Sequence, residues 1–173
     1  TALRLGELAA EAGLPPGVLN VVPGFGETAG AALVAHPDVD AVAFTGSTAV
    51  GRLIMKSAAD APKKVSLELG GKSPNIVFAD ADLGAAIRGA STGIFYGKGE
   101  VCAAGSRILV EDAVYDQFVE AFAERASRMS VGDPMDSATR LGALVSREQA
   151  DRVMEYVEAG RSEGATLKAG GER

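Results

Sequence analysis

The 173 residues carry 47% apolar and 23% charged side chains, the composition of a globular protein large enough to bury a core. A formal net charge of −6 argues against a nucleic-acid partner, which asks for a basic face, yet leaves room for a phosphate-bearing cofactor held by backbone N–H groups. One cysteine excludes an intrachain disulfide, no apolar run approaches the ~20 residues of a bilayer span, and no signal-peptide pattern opens the chain, so the expected compartment is the cytoplasm, with no membrane partner.

Leu3, Leu5, Leu8 and Ala9 recur at helical spacing, and Gly13 is placed to stop that helix. Residues 18–22 form a short β-branched run that ends at Pro23-Gly24, which predicts a strand. A helix over 27–36, a buried strand over 41–44 and a helix over 47–59 follow, the last with Val50, Leu53 and Ile54 on one face. Residues 64–69 alternate and predict a third strand. Strands separated by helices imply a parallel sheet with right-handed crossovers, and three strands amount to half of a doubly wound nucleotide domain.

After Gly70-Gly71 the pattern restarts, which makes that pair the expected domain boundary. A strand over 75–78, a helix over 83–93, a strand over 107–110 and a helix over 114–128 follow in order. A polar loop at 131–136 precedes a last helix, opened by the capping-box pattern Ser146-Arg147-Glu148-Gln149 and running through Tyr156. A final strand is expected at 166–168, with Gly170-Gly171 as its exit turn.

Four places could carry chemistry. Thr45-Gly46-Ser47-Thr48 lies where a strand turns into a helix, so free N–H groups and the helix dipole favour an anion there; an ordinary helix cap is the competing explanation. Gly24, Gly26 and Gly30 are spaced GxGxxxG, one residue off the dinucleotide fingerprint, and glycine at such a turn is commonly steric. Glu68 ends an apolar strand, where burial would raise its pKa and suit it to general-base work, unless it points into solvent. Cys102 follows Gly97 and Gly99, an open setting that suits a nucleophile as well as a small packed residue. His36, in an acidic loop with Asp38 and Asp40, reads as a surface residue, and one His with one Cys makes no zinc site.

Together these pieces resemble the aldehyde dehydrogenase superfamily, including betaine aldehyde dehydrogenase-like members. The motifs Phe44-Thr45-Gly46-Ser47-Thr48, Leu67-Glu68-Leu69-Gly70-Gly71-Lys72-Ser73-Pro74 and Gly99-Glu100-Val101-Cys102-Ala103-Ala104-Gly105-Ser106-Arg107 stand in the family's order. The thirty-four positions from Glu68 to Cys102 match the family's spacing of general base and nucleophile, and Pro15-Pro16-Gly17 echoes its turn into a strand. The resemblance implies an α/β, three-layer fold. Residues 1–69 would be the second half of a Rossmann-like cofactor domain, and residues 70–173 the first half of the catalytic domain.

It further implies a cysteine thiohemiacetal and thioester on Cys102, water activation by Glu68, and the Cys102 N–H as half of an oxyanion hole. NAD, with NADP as an option, would lie with its pyrophosphate near Gly46, Ser47 and Gly51, near the Gly26 and Gly30 turn, and with its nicotinamide near Leu69. The partner would be a small aldehyde, no metal would take part, and the parent protein would be a homodimer or homotetramer.

The chain also departs from the family pattern. The family's oxyanion-hole Asn, its Lys-Pro-(Ser/Ala)-Glu stretch and its Glu-Ile-Phe-Gly-Pro segment do not occur in these residues; Gly97 stands where Asn is common, and Gly84 where an acidic residue is usual. The expectation is therefore a central segment with little activity by itself. A coenzyme A-acylating relative and a non-catalytic remnant are the alternatives.

Overall fold

The computed structural model describes residues 1–60 and 62–172. The chain folds as two compact units, Thr1–Gly70 and Gly71–Arg173.

In the first unit, helix α1 (Ala2–Glu11) ends as its glycine predicts. Gly13 takes φ +88°, its N–H reaches the Ala10 carbonyl, and the Leu14 N–H reaches that of Ala9, the paired bonds of a Schellman stop. The strand expected at 18–22 does not form. Val18 donates to Pro15 in a turn, and no strand among the described residues pairs with this stretch. Apolar composition favours an extended backbone but cannot supply the ladder partner that makes a strand.

The helix expected over 27–36 is a π-helical turn, Gly26–Gly30, running into α2 (Ala31–Ala35). Lys63 closes α2: its ammonium donates to the carbonyls of Val34 and His36 at 2.7 and 2.8 Å. Strand β1 (Ala41–Thr45) pairs in parallel with β2 (Lys64–Glu68), with Thr45 opposite Glu68, and α3 (Thr48–Asp60) connects them. In place of a fully buried β1, both strands alternate between exposed and half-buried residues, and α3, with Gly51, Ile54 and Ala58 buried, packs on β2.

In the second unit, β3 (Pro74–Val77) pairs in parallel with β4 (Arg107–Val110) across helix α4 (Leu83–Phe95). Asp82 caps α4 by accepting from the Ala85 N–H at 2.9 Å. Helix α5 (Tyr115–Ser127) packs on α4, and Val77, Ala90 and Phe118 form the core with Ile87, Ile108 and Phe122 around them. Phe95, Phe122 and Phe118 stack in file with centroids 5.7 and 5.6 Å apart. Helix α6 (Arg147–Ser162) runs six residues past Tyr156 to a second Schellman stop at Gly164, φ +94°. Residues 166–168 are irregular rather than a strand, for the same want of a partner. No helix among the described residues is long and apolar enough to cross a membrane.

Candidate functional site

Two groups of predicted residues take shape, one in each unit. In the first unit the β1–α3 turn and the end of β2 meet. The Gly46 N–H donates to the Glu68 carbonyl at 3.0 Å, extending the ladder one residue beyond the strands. The Phe44 ring lies where a side chain at position 46 would stand, so any larger residue there would have to displace that ring. Gly51 is buried, and a Cβ on it would lie 2.8 Å from Leu69 Cδ2, so α3 seats the Leu69 side chain directly.

Ser47 is the helix cap: its hydroxyl oxygen accepts from the Val50 N–H at 3.2 Å. That oxygen still has its own proton to give. Among the described residues the amide N–H groups of Ser47, Thr48 and Ala49 find no carbonyl, so the start of α3 presents donors and the positive end of a dipole. Cap and anion seat are compatible here.

Glu68 lies on the exposed side of β2 with Ser66 and Lys64, so the burial that would tune a general base is not found within this unit. Gly26 and Gly30 lie in the π-helical turn, where a Cβ would meet nothing within 4 Å; packing does not account for either glycine. His36 is exposed, and its Nδ1 accepts from the Asp38 N–H.

In the second unit Cys102 is exposed. It occupies the second position of a turn closed by the Ala104 N–H on the Val101 carbonyl at 3.0 Å, and Ala104 anchors that turn in the interior. The approach from α4 is left-handed over three consecutive residues, Gly97, Lys98 and Gly99, with φ of 59°, 63° and 74°.

The 71–75 segment braces the far side. A Cβ at Gly71 would stand 2.5 Å from the Cys102 carbonyl oxygen, the Arg107 N–H donates to Ser73, and Arg107 Nε donates to the Lys72 carbonyl at 2.9 Å. Gly71 and Arg107 stand within the sequence motifs, yet the motifs alone give neither a role. The available signals were a residue without a side chain after the Glu68 strand and a long side-chain donor five positions past the thiol. A hollow of about 630 Å³ among Thr92, Tyr96, Arg125 and Arg140 contains none of the predicted residues.

The aldehyde dehydrogenase family model matches residues 1–173. An aldehyde dehydrogenase of Davidiella tassiana is 58% identical over 167 residues, covering 96% of this chain and 34% of that protein. Aldehyde dehydrogenase 1A1 of Mus musculus is 53% identical over 174 residues, 100% of this chain and 35% of its own length. Among solved structures, the NAD+ complex of an aldehyde dehydrogenase from Bacillus cereus is similar with a TM-score of 0.96 at 52% identity, covering 99% of this chain and 35% of that one. The chain thus spans about a third of the length of the curated relatives it matches.

Proposed function

The chain belongs to the aldehyde dehydrogenase family, and on that footing we propose that it supplies the nucleophile, the water-activating carboxylate and part of the cofactor seat of an enzyme that oxidises an aldehyde to a carboxylic acid with NAD+. The observation that carries this reading is the exposed Cys102 on a turn braced by Gly71, its own N–H without a partner among the described residues.

Cys102 attacks the carbonyl carbon as thiolate, forming a carbon–sulfur bond and an oxyanion that the Cys102 N–H stabilises. The chemistry NAD+ supplies when bound is acceptance of the electron pair and hydrogen that this carbon gives up. A thioester then remains on Cys102. Glu68 takes a proton from the water that attacks the thioester carbon, the carbon–sulfur bond breaks to release the carboxylic acid, and Glu68 returns the proton to the departing Cys102 sulfur.

The residues at the start of α3 fit the cofactor's charge. The unpaired N–H groups of Ser47, Thr48 and Ala49, with the Ser47 hydroxyl, would hold a pyrophosphate, and Gly46 adds no bulk. Leu69, seated by Gly51, would line the nicotinamide, with Gly26 and Gly30 as the second turn of the seat. In this reading residues 1–69 serve the cofactor and residues 70–173 the aldehyde, in a cytoplasmic homodimer or homotetramer. Glu68 favours release to water over release to coenzyme A, and free acid as the product distinguishes the two.

The test is aldehyde-dependent NAD+ reduction by the assembled enzyme. Cys102→Ala abolishes it, and Glu68→Gln slows turnover by about 100-fold or more, the usual scale of a lost general base. Reduction that survives Cys102→Ala overturns the assignment.

A further inference from the structure

Lys98 is the one non-glycine residue with positive φ among the described residues, four positions before Cys102. A lysine gains nothing from the left-handed region, where its Cβ crowds the following carbonyl. Backbone strain of this kind persists only where the surroundings over-determine it. The surroundings here are specific. Lys98 Nζ lies 3.3 Å from Glu100 Oε2, with the two side chains 30% and 41% exposed. The Glu100 N–H donates to the Gly97 carbonyl, which closes the same turn from the backbone side. A Cβ at Gly97 would stand 3.3 Å from the Val101 side chain and one at Gly99 3.2 Å from the Ile94 carbonyl, so both glycines of the turn are closely packed.

The turn that follows carries the thiol. The amide N–H groups of Cys102 and Ala103 have no partner among the described residues, which leaves two donors free to stabilise negative charge on the sulfur or on a bound oxyanion. Their orientation depends on the left-handed run that leads into them.

We infer that Lys98 and Glu100 are positioning residues. Their ion pair latches the 97–99 turn in its left-handed form and so presents the Cys102 thiol together with those N–H groups. This rests on Cys102 being the nucleophile and adds to it a device outside the motifs that identify the family.

Two effects of the pair can be told apart because they have opposite signs at Glu100. If Glu100 acted only through its charge, removing it would favour the thiolate and speed Cys102. If the pair acts as a latch, removing either partner slows Cys102.

The measurement is the alkylation rate of Cys102 by iodoacetamide, a neutral reagent whose iodide is displaced by the thiolate while the thiol proton passes to solvent. It is made on the assembled enzyme at a single pH, with an unstructured cysteine peptide as reference. The wild-type rate exceeds that of the peptide. Lys98→Gln and Glu100→Gln each lower it about three-fold, the scale of a half-exposed ion pair. The double exchange of Lys98→Glu with Glu100→Lys, which restores the pair, brings the rate back to within about two-fold. The melting temperature stays within about 2 °C throughout, which a general loss of packing would not allow.

A faster or unchanged Glu100→Gln, or an exchange that fails to restore the rate, overturns the latch and leaves the nucleophile standing. A wild-type rate no faster than that of the peptide overturns the nucleophile assignment, and the latch with it.

Discussion

A methyl group at position 71 would stand 2.5 Å from the carbonyl oxygen of Cys102. The neighbour is backbone and cannot swing aside as a side-chain tip would, so Gly71→Ala must displace either the Cys102 turn or the 71–73 segment. The expected cost is about 1–3 kcal/mol of stability, the usual range for overpacking. The loss of turnover is expected to exceed what that cost explains, because the displaced atoms belong to Cys102, the proposed nucleophile. Thermal unfolding and kcat measured on one preparation check this; a variant with full kcat shows that the contact is incidental. Cys102 and Glu68 were legible as candidates, by residue type and by a spacing that matches the family's. The contact that fixes Gly71 was not, since a glycine in sequence announces freedom and not the atom that forbids its replacement.

Helix α6 begins where its capping residues place it. Ser146 was legible as its cap, and its hydroxyl oxygen accepts from the Gln149 N–H at 3.2 Å. The acidic residue that completes the start is Glu148 rather than its neighbour. Its own backbone N–H, then the Ser146 hydroxyl, hold its carboxyl below the ordinary value of 4.5. A carboxyl with a lowered folded pKa adds stability above its unfolded value, and that stability is lost as pH falls through the folded value. Helix α6 therefore weakens below about pH 4.5, and Glu148→Gln removes that acid-side loss. Ser146→Ala costs about 1 kcal/mol at neutral pH. Circular dichroism across an acid titration measures both, and an identical acid limb in Glu148→Gln contradicts the first.

Element types followed from periodicity, whereas the strands expected at 18–22 and 166–168 failed because a strand needs a ladder partner that no local pattern reports. The left-handed Lys98 was equally silent, since lysine carries no signal for that conformation.

The accessible surface of the 173 residues is 12912 Å². A folded protein of this mass exposes about 7,900 Å², and even two independent domains of these lengths would expose only about 9,500 Å². The excess is apolar in part: Leu5, Leu8, Leu53 and Met55 in the first unit and Ile76, Tyr156 and Leu167 in the second are all exposed. Since the relatives are about three times as long, we propose that further polypeptide covers these faces. The 173 residues taken alone are therefore expected to bind a hydrophobic dye and to turn over aldehydes with NAD+ poorly. Robust turnover by this chain, without dye binding, contradicts that account.

If Cys102 carries the substrate as a thioester that Glu68 helps water to remove, loss of the carboxylate must leave the acyl group in place. Mass spectrometry of the assembled enzyme carrying Glu68→Gln, quenched during reaction with an aldehyde and NAD+, looks for it. An acyl group is expected on the peptide containing Cys102 and none on the Cys102→Ala variant. An unmodified Cys102 peptide with acid still being formed, or an acyl group on any other residue, contradicts it.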